Sequence, residues 1–387
     1  MMLIYVIYCD MMNVTQDRIA PMNWAKEDKL MIKQPKFIGV DLFAGAGGLS
    51  LGAEMARVDV ALSIEKDKNA AETYSYNHPS TKVINDDIAN ITKIDVSVGS
   101  SKILFGGPPC QGFSYSNQRT RSKDNPSNWL LREFLRIVDI WRPDWVIFEN
   151  VRGFVNTEAR LFLNSLIIDF EEKNYTCTWA ILNALDFGVP QNRSRFFLVA
   201  SRHGYKINFP VKASQKYVTV SQAISDLPSL ENGASEDYLE YQFEATNSYA
   251  KRLRGKLSEC SGHLVSRNAP HIIERYRYIS PGGNWKDIPE HLMKNYTDRT
   301  RCHTGIYHRL RPDEPALTIG NYRKAMLIHP WENRGLSVRE AARIQSFPDW
   351  YEFKGSIGFQ QQQVGNAVPP LLAQAVFSII TGGEYSL

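Results

Sequence analysis

The chain has 387 residues, of which 43% are hydrophobic and 22% charged, the composition of an ordinary globular protein. Its formal net charge of +4 permits a nucleic-acid partner without requiring one. The five cysteines form no Cys-x-x-Cys pair, which argues against a disulfide framework or a structural zinc site and favours a reducing cytoplasm. No apolar run approaches the roughly 20 residues that a membrane-spanning helix needs.

The local composition and the apolar periodicity of the sequence divide the chain into segments. Residues 1–34 are rich in methionine and lack periodicity, so we expect a poorly ordered extension, and their apolar start lacks the basic residues of a signal peptide. Residues 35–204 and 329–387 show regular apolar patterns. Residues 205–328 instead interleave arginines with aromatic side chains, which predicts a second domain for substrate recognition, with a plain solvated surface as the alternative for many of those charges.

The first regular element is a short apolar strand at residues 37–40, followed by a glycine-rich turn and a helical pattern. These three parts form a nucleotide-binding unit, because glycines let a ligand approach the turn closely. Gly45 and Gly47 fit the dinucleotide fingerprint, but Ser50 stands where the third glycine belongs. The turn therefore favours a nucleotide-like ligand, and a tight turn without a ligand is the alternative.

The next two strand ends carry carboxylates. The apolar residues 61–64 end in Glu65, about 20 positions after the glycine turn, where folds of this kind place a ribose-binding acid. Residues 85–88 (Asn-Asp-Asp-Ile) are again acidic at a strand end and suit a hydrogen bond from an adenine amine. Together with the glycines, these acids indicate an adenosine site.

The fourth strand end holds a single cysteine. Residues 103–105 form an apolar strand that opens into residues 106–116 (Gly-Gly-Pro-Pro-Cys-Gln-Gly-Phe-Ser-Tyr-Ser). A thiol held on a rigid turn suits a nucleophile, because its attack geometry is preorganised. A packed thiol in a tight turn is the alternative for Cys110. Residues 117–128 are polar and basic, which indicates either a mobile loop that contacts phosphates or a solvated loop.

The fifth strand, residues 144–148, ends in Glu149. Because neighbouring parallel strands end at the same edge of a sheet, this carboxylate is expected near the cysteine. Residues 176–182 and 195–201 are predicted to form two further strands, and between them Arg193 and Arg195 point to one side of an extended segment. Near the C-terminus, Ser337 and Glu340 form a predicted capping box, and residues 371–380 form an apolar helix.

Six blocks fall in a characteristic order along the chain. They are residues 41–48 (Asp-Leu-Phe-Ala-Gly-Ala-Gly-Gly), Glu65, residues 107–111 (Gly-Pro-Pro-Cys-Gln), residues 148–151 (Phe-Glu-Asn-Val), residues 191–195 (Gln-Asn-Arg-Ser-Arg), and residues 339–348 with Gly365 and Asn366. From residue 37 to the C-terminus the chain thereby resembles the cytosine-C5 DNA methyltransferases of bacterial restriction–modification systems. One departure is Asp86, where the family usually has glycine before the acid.

The resemblance implies an α/β fold: a doubly wound, mostly parallel Rossmann-like methyltransferase sheet with a smaller inserted target-recognition domain. Residues 35–204 would form the catalytic and cofactor-binding domain, residues 205–328 the target-recognition domain, and residues 329–387 a segment that completes the catalytic domain. Because Asn366 lies in that last segment, the segment must pack back beside the first strand.

The resemblance also implies a mechanism. Cytosine C5 is too weak a nucleophile to accept a methyl group unaided, so Cys110 would add to C6 as a thiolate. Protonated Glu149 would hydrogen-bond or protonate N3, while Arg195, and secondarily Arg193, would bind the carbonyl O2. C5 would then attack the sulfonium methyl of S-adenosylmethionine, and loss of the C5 proton would release Cys110. The cytosine must first flip out of the duplex, at a cost of about a few kcal/mol.

The resemblance extends to the binding residues. The expected cofactor is S-adenosylmethionine, which leaves as S-adenosylhomocysteine, and no metal is expected. The expected cofactor-binding residues are Phe43, Ala44, Gly45, Gly47, Gly48, Leu49, Glu65, Asp87, Ile88, Gly106, Pro108, Asn366 and Val368. The expected DNA contacts are Gln111, Ser114, Ser116, Arg119, Gln191 and Arg323.

Other functions remain as alternatives. An RNA (tRNA) cytosine-C5 methyltransferase would use the same blocks, although the long segment 205–328 favours DNA. A catalytically silent DNA-binding protein disagrees with the intact Cys110 and Glu149, and an NAD-dependent oxidoreductase disagrees with Ser50. We expect a monomer in the cytoplasm that binds double-stranded DNA, with a cognate restriction endonuclease acting separately. No residue pattern identifies the target sequence.

Overall fold

The computed structural model describes residues 37–96, 100–109, 129–155, 160–210, 216–294 and 305–382. The expected N-terminal extension, residues 1–34, lies outside these ranges, and so do parts of several loops.

A sheet of seven strands forms the centre of the protein, in the order β3-β2-β1-β4-β5-β7-β6. The strands are β1 (Phe37–Leu42), β2 (Asp59–Ile64), β3 (Lys82–Ile84), β4 (Ser101–Gly106), β5 (Trp145–Val151), β6 (Thr176–Asn183) and β7 (Ser194–Ser201). Strands β1 to β5 pair in parallel, whereas β7 is antiparallel to both β5 and β6. The strand order reverses between β1 and β4, and such a switch point opens a crevice at the carboxyl ends of the strands.

Helices cover both faces of the sheet. They are α1 (Gly48–Met55), α2 (Lys68–Asn77), α3 (Trp129–Trp141), α4 (Arg160–Glu172), α5 (Val220–Ile224), α6 (Ser248–Arg254), α7 (Pro270–Arg277), α8 (Tyr322–Ala325), α9 (Val338–Ile344), α10 (Ile357–Asn366) and α11 (Pro370–Thr381). On one face Phe105 packs on Phe377 of α11, with ring centroids 4.8 Å apart. On the other face Phe148 packs on Phe134 of α3 at 5.5 Å. The expected doubly wound, mostly parallel α/β fold is confirmed.

The C-terminal segment, expected beside the first strand, packs against α1, the helix that follows this strand. A side chain at Gly52 of α1 would overlap Ala373 of α11, so the two helices approach at backbone distance. The stretch Ile357–Thr381 is long and apolar enough to cross a membrane by composition alone, with a mean hydropathy of 1.4, but 67% of that window is buried inside the protein. It is also divided into α10 and α11, so its apolar character is explained by the core.

The middle segment has little regular structure. Besides the short helices α5 to α8 it contains two paired two-residue strands, β8 (Leu239–Glu240) and β9 (Glu259–Cys260). It has a small core of its own, formed by Tyr276, Ile279, Ile288, Met293, Tyr307 and Ile328. The domain boundaries near residues 204 and 328 stay predictions.

Helix α9 joins the middle segment to the rest of the protein. Its start is the expected capping box, in which the Ser337 hydroxyl accepts from the Glu340 amide at 3.1 Å and the Glu340 carboxylate accepts from the Ser337 amide at 2.8 Å. The buried Arg343 guanidinium pairs with Asp226 and with Asp349, each at 2.6 Å. Removing one partner of such a buried pair is strongly destabilising, so the Arg343–Asp226 pair links α9 to the middle segment.

Candidate active site

The carboxyl ends of β1, β2, β4 and β5 border a cavity of about 1160 Å³. Asp41, Glu65, Gly107 and Glu149 line the cavity from these four strand ends. The cavity lies at the switch between β1 and β4, where open parallel sheets bind ligands. The sequence reasoning that placed a ligand at successive strand ends therefore agrees with the shape of the protein.

The glycine-rich turn after β1 has a tightly constrained backbone. Phe43, Gly45 and Gly47 have φ values of 58°, 55° and 88°, the left-handed region that favours glycine. A side chain at Gly45 would meet nothing within 4 Å, which leaves room beside the turn. A side chain at Gly47 would instead lie 2.6 Å from both His78 and Tyr351. Position 47 therefore requires glycine, because a side chain would overlap His78 and Tyr351. Gly47 does not line the cavity.

The two predicted acids at the ends of β2 and β3 differ in their hydrogen bonds. Glu65 accepts the backbone amides of Gly45 and Asp67, both at 2.7 Å, and burial raises the pKa of its carboxyl group. Asp87 accepts from Lys66 at 2.7 Å and from the Ala89 amide at 3.0 Å. The hydrogen bond from Lys66 lowers the pKa of Asp87. Glu65 is thus hydrogen-bonded to the glycine turn, while Asp87 lies at the rim of the cavity.

Asp41, at the end of β1, is a site residue that sequence reasoning missed. Its Oδ2 accepts from the Ser50 hydroxyl at 2.6 Å, and Ser50 accepts from Tyr74 at 2.6 Å. Its Oδ1 has no hydrogen-bond partner among the described residues, although the side chain is fully buried and lines the cavity. Burial raises the pKa of Asp41 well above its ordinary value. Its position directly before the glycine turn is the one signal of this role in the sequence, where Asp41 stands out only as part of that turn.

Glu149 and Arg195 form an ion pair inside the cavity, with 3.0 Å between Nε and Oε1. Burial raises the pKa of Glu149, and the nearby Arg195 and Arg193 guanidinium groups partly offset the rise. A side chain at Gly107 would lie 2.5 Å from Glu149 Oε2, so glycine is needed for the carboxylate to lie against the loop after β4. Asn150 donates to the Pro108 carbonyl at 3.1 Å and holds that loop.

Several expected residues fall outside the described ranges. The expected nucleophile Cys110 follows the last described residue of the β4 loop, and Gln111, Ser114, Ser116 and Arg119 belong to the same segment, residues 110–128. Their roles stay predictions. The structure does place the start of that segment, Pro109, at the wall of the cavity.

Two residues expected to contact the substrate have other partners. Gln191, an expected DNA contact, is 0% exposed, and it accepts from the Ile319 amide and donates to Gln345. A direct contact between Gln191 and DNA does not fit this burial, and this expectation needs correction. Arg193 lines the cavity, but both terminal nitrogens of its guanidinium group donate to carbonyl oxygens, among them those of Ile319 and Gly365. Only its Nε lacks a hydrogen-bond partner among the described residues.

The remaining expected residues separate into two groups. Those that line the cavity, besides the residues above, are Phe43, Ala44, Gly48, Leu49, Ile88, Pro108, Asn366 and Val368. Gly106 and Arg323 do not line the cavity. A side chain at Gly106 would overlap the Leu42 carbonyl, and Arg323 lies exposed on α8. The opposite wall, which sequence reasoning missed, comes from the middle segment and α10 and includes Leu317, Asn321 and Phe359. These lack a motif that would have identified them.

A doubly wound sheet with a glycine turn and acidic strand ends around a switch-point cavity is the arrangement of Rossmann-like nucleotide-binding proteins. Within that class, the family model for C-5 cytosine-specific DNA methylases matches residues 37–381, and the chain belongs to this family. Members of the family use S-adenosylmethionine, and the enzyme class expected from the sequence, a DNA (cytosine-5) methyltransferase, is confirmed.

Individual relatives agree with this assignment. The chain is 35% identical to the Type II methyltransferase M.DdeI of Desulfomicrobium norvegicum, over 87% of this chain and 86% of that protein. It is also 35% identical to M1.HphI of Haemophilus parahaemolyticus, over 87% and 84% of the two chains. A solved E. coli structure, a prophage-encoded DNA modification methyltransferase, superposes with a TM-score of 0.71 at 25% identity, over 89% of this chain and 99% of that one.

Proposed function

We propose that this protein methylates C5 of a flipped-out cytosine within one short sequence of double-stranded DNA and thereby protects DNA in a restriction–modification system. The observation that carries the proposal is the buried Glu149–Arg195 pair, which faces the glycine turn across a single cavity. The Type II methyltransferases M.DdeI and M1.HphI support the biological role.

The residues around the glycine turn fit S-adenosylmethionine. The cofactor carries an ammonium group, and the buried Asp41 Oδ1, without a partner among the described residues, is an acceptor that suits such a cation. Glu65 would accept hydrogen bonds from the ribose hydroxyls, and Phe43 and Ile88 would contact the adenine. When bound, the cofactor supplies an electrophilic methyl group beside the flipped base. S-adenosylhomocysteine is the expected product, and no metal is required.

Glu149 would act on cytosine as a hydrogen-bond donor. Burial raises the pKa of its carboxyl group, and a protonated carboxyl can donate to N3 as negative charge develops there. Arg195, whose guanidinium lies 3.0 Å from Glu149, would then bind O2 of the same ring. The thiolate of Cys110 would form the bond to C6, and the same bond would break when solvent water takes the C5 proton and the proton at N3 returns to Glu149.

The DNA would lie along the open side of the cavity. Extrusion of the base costs about a few kcal/mol, which contacts to the displaced duplex must offset. Leu317 and Phe359 are 42% and 43% exposed, so they can pack against a base or sugar at the rim. Arg323, exposed on α8, and the segment with Gln111, Ser114, Ser116 and Arg119 would contact phosphates. The protein would act as a cytoplasmic monomer, with a separate cognate endonuclease.

Methyl transfer to different nucleic acids tests the proposal. Purified protein is expected to transfer labelled methyl from S-adenosylmethionine to duplex DNA, and Cys110→Ser is expected to abolish the transfer. Sequencing of methylated cytosines in DNA from cells that express the protein would give the target sequence. Labelling of tRNA without labelling of DNA would overturn the proposal, and robust labelling by Cys110→Ser would remove Cys110 from the mechanism.

A further inference from the structure

The segment of residues 190–193 is hydrogen-bonded to the end of the middle segment. The Ala316 amide donates to the Pro190 carbonyl at 2.9 Å, and the Asn192 amide donates to the Ala316 carbonyl at 2.8 Å. The Thr318 hydroxyl donates to the Asn192 carbonyl at 2.5 Å. These bonds fix the stretch that brings Leu317 to the rim of the cavity.

The side chain of Gln191 extends this connection toward α9 and α10. Its Oε1 accepts from the Ile319 amide at 2.8 Å, and its Nε2 donates to Gln345 Oε1 at 2.9 Å. Gln345 in turn donates to the Val364 carbonyl of α10 at 2.7 Å. Because Gln191 and Gln345 are both fully buried, water cannot replace these partners if one of them moves.

Arg193 completes the connection with a buried cation. One terminal nitrogen donates to the Ile319 carbonyl at 2.7 Å, and the other donates to the carbonyls of Gly365 at 2.9 Å and Ala367 at 2.8 Å. The last two carbonyls flank Asn366, which lines the cavity. The planar guanidinium group is therefore hydrogen-bonded both to the middle segment and to the end of α10 with the residue that follows it.

The backbones on the two sides of Arg193 also touch. A side chain at Gly365 would overlap the Gly320 carbonyl, so the middle segment and α10 approach as closely as two backbones can. Residues 190–193, 319–320 and 364–367 together form what we name the junction. Each side of the junction contributes to the same cavity: Gly320 and Asn321 on one side, and Gly365 and Asn366 on the other.

We infer that the junction couples DNA binding to cofactor binding, and that Gln191 and Arg193 are positioning residues for Asn366 rather than contacts to the base. The inference rests on the proposed function, because it assumes DNA on the Leu317 side and the cofactor on the Asn366 side. A shift of residues 319–320 on the DNA must move residues 365–367 or leave buried donors without partners, which is unfavourable.

Binding of S-adenosylhomocysteine, measured by calorimetry with and without the duplex identified by methylation sequencing, tests the inference. Reciprocal coupling between two ligands typically changes an affinity about 5- to 150-fold. We expect the wild-type protein to bind S-adenosylhomocysteine at least about 5-fold more tightly when DNA is present. A wild-type ratio of 1 would overturn the inference.

Two glycine variants of the same helix separate coupling from folding. Gly365→Ala places a methyl group against the Gly320 carbonyl and forces the two sides of the junction apart, and we expect the affinity ratio to fall to near 1. Gly358→Ala is the matched control, because its methyl group would make only an ordinary contact, 3.5 Å from Arg323, and alanine favours a helix. An unchanged ratio in Gly365→Ala, or an equal fall in both variants, would contradict the junction.

A further variant and a measurement on the wild-type protein cover the case in which Gly365→Ala does not fold. Lysine cannot donate to three carbonyls as the guanidinium plane does, so Arg193→Lys is expected to reduce the ratio as well. In the wild type, DNA alone should slow hydrogen exchange at residues 364–367, and unchanged exchange would contradict the inference. Methyl transfer by the wild type without any coupling would overturn the junction and leave the proposed function intact.

Discussion

Arg195 and Glu149 pair at 3.0 Å with side chains only 13% and 10% exposed, on neighbouring antiparallel strands of one sheet. Burial and the ion pair have opposite effects on the pKa of Glu149. Burial raises the pKa of Glu149, which favours the protonated form, while the Arg195 cation favours the charged form. The cation therefore offsets part of the rise that burial causes in the pKa of Glu149.

Replacement of the Glu149 carboxyl group, the proposed hydrogen-bond donor to N3, is the first prediction. Glutamine has the shape of Glu149 but cannot transfer a proton to N3, so Glu149→Gln should lower kcat about 100-fold or more. Binding of S-adenosylhomocysteine and DNA should change only a few-fold, because the cavity keeps its shape. Single-turnover methyl transfer and calorimetry measure the two effects. Wild-type turnover in this variant would exclude Glu149 from the chemistry.

The pH dependence of methyl transfer should change in Arg195→Ala. Loss of the cation removes an interaction that lowers the pKa of Glu149, so that pKa should rise further. The protonated form then persists to higher pH, and the alkaline limb of the single-turnover rate should move upward in pH while the rate itself falls. Arg202→Ala is the control, since Arg202 pairs with Asp144 at 2.6 Å at the opposite end of the same strands. An alkaline limb that moves downward would contradict the assignment.

Asp41→Asn should stabilise the protein without cofactor and weaken cofactor binding. Because burial raises the pKa of Asp41, the folded state keeps this proton to higher pH than the unfolded chain, whose aspartate pKa is about 3.9. The free energy of unfolding therefore falls as pH rises above about 4 through the folded-state pKa. The variant should lose this part of the pH dependence.

Thermal unfolding of wild type and Asp41→Asn between pH 5 and pH 8 measures the difference. Affinity for S-adenosylmethionine should fall about 10-fold or more, because the variant loses the contribution of a charge-assisted hydrogen bond. Asp59→Asn, on the exposed start of β2, is the matched control and should change neither quantity. Unchanged cofactor affinity in Asp41→Asn would show that the ammonium group binds elsewhere.

Gly107→Ala should disturb the position of Glu149. The added methyl group would lie 2.5 Å from Glu149 Oε2, so the carboxylate must move away from the loop that precedes Cys110. We expect kcat to fall about 10-fold or more, since misplacement of a reacting group by about 1 Å can cost 100-fold. Gly335→Ala, whose methyl group would have no neighbour closer than 3.8 Å, should keep wild-type kcat. Equal kcat values in the two variants would contradict the role of Gly107.

The sequence by itself determined the sheet and the position of the site. Apolar strands alternate with helical patterns along residues 37–151, so β1 to β5 had to lie in parallel with their carboxyl ends at one edge, whereas β7 runs antiparallel to β5 and β6. Gly45 lies in the turn after β1, Glu65 directly follows β2, and Glu149 lies near the end of β5, and this is why local reasoning placed them together. The capping box at Ser337 was predictable for the same reason, since it depends on residues three positions apart.

Only the tertiary structure decided which polar residues are available to a ligand in the cavity and which are hydrogen-bonded within the protein. Gln191 and Arg193 belong to the block in which Arg195 is proposed to bind the base, yet they bond to Ile319, Gln345 and Gly365, more than 120 residues away. Asp41 lacks a partner for Oδ1 among the described residues because the packing of β1 buries it. Burial and hydrogen-bond partners depend on distant segments that meet only in the folded chain, so spacing along the sequence cannot reveal them.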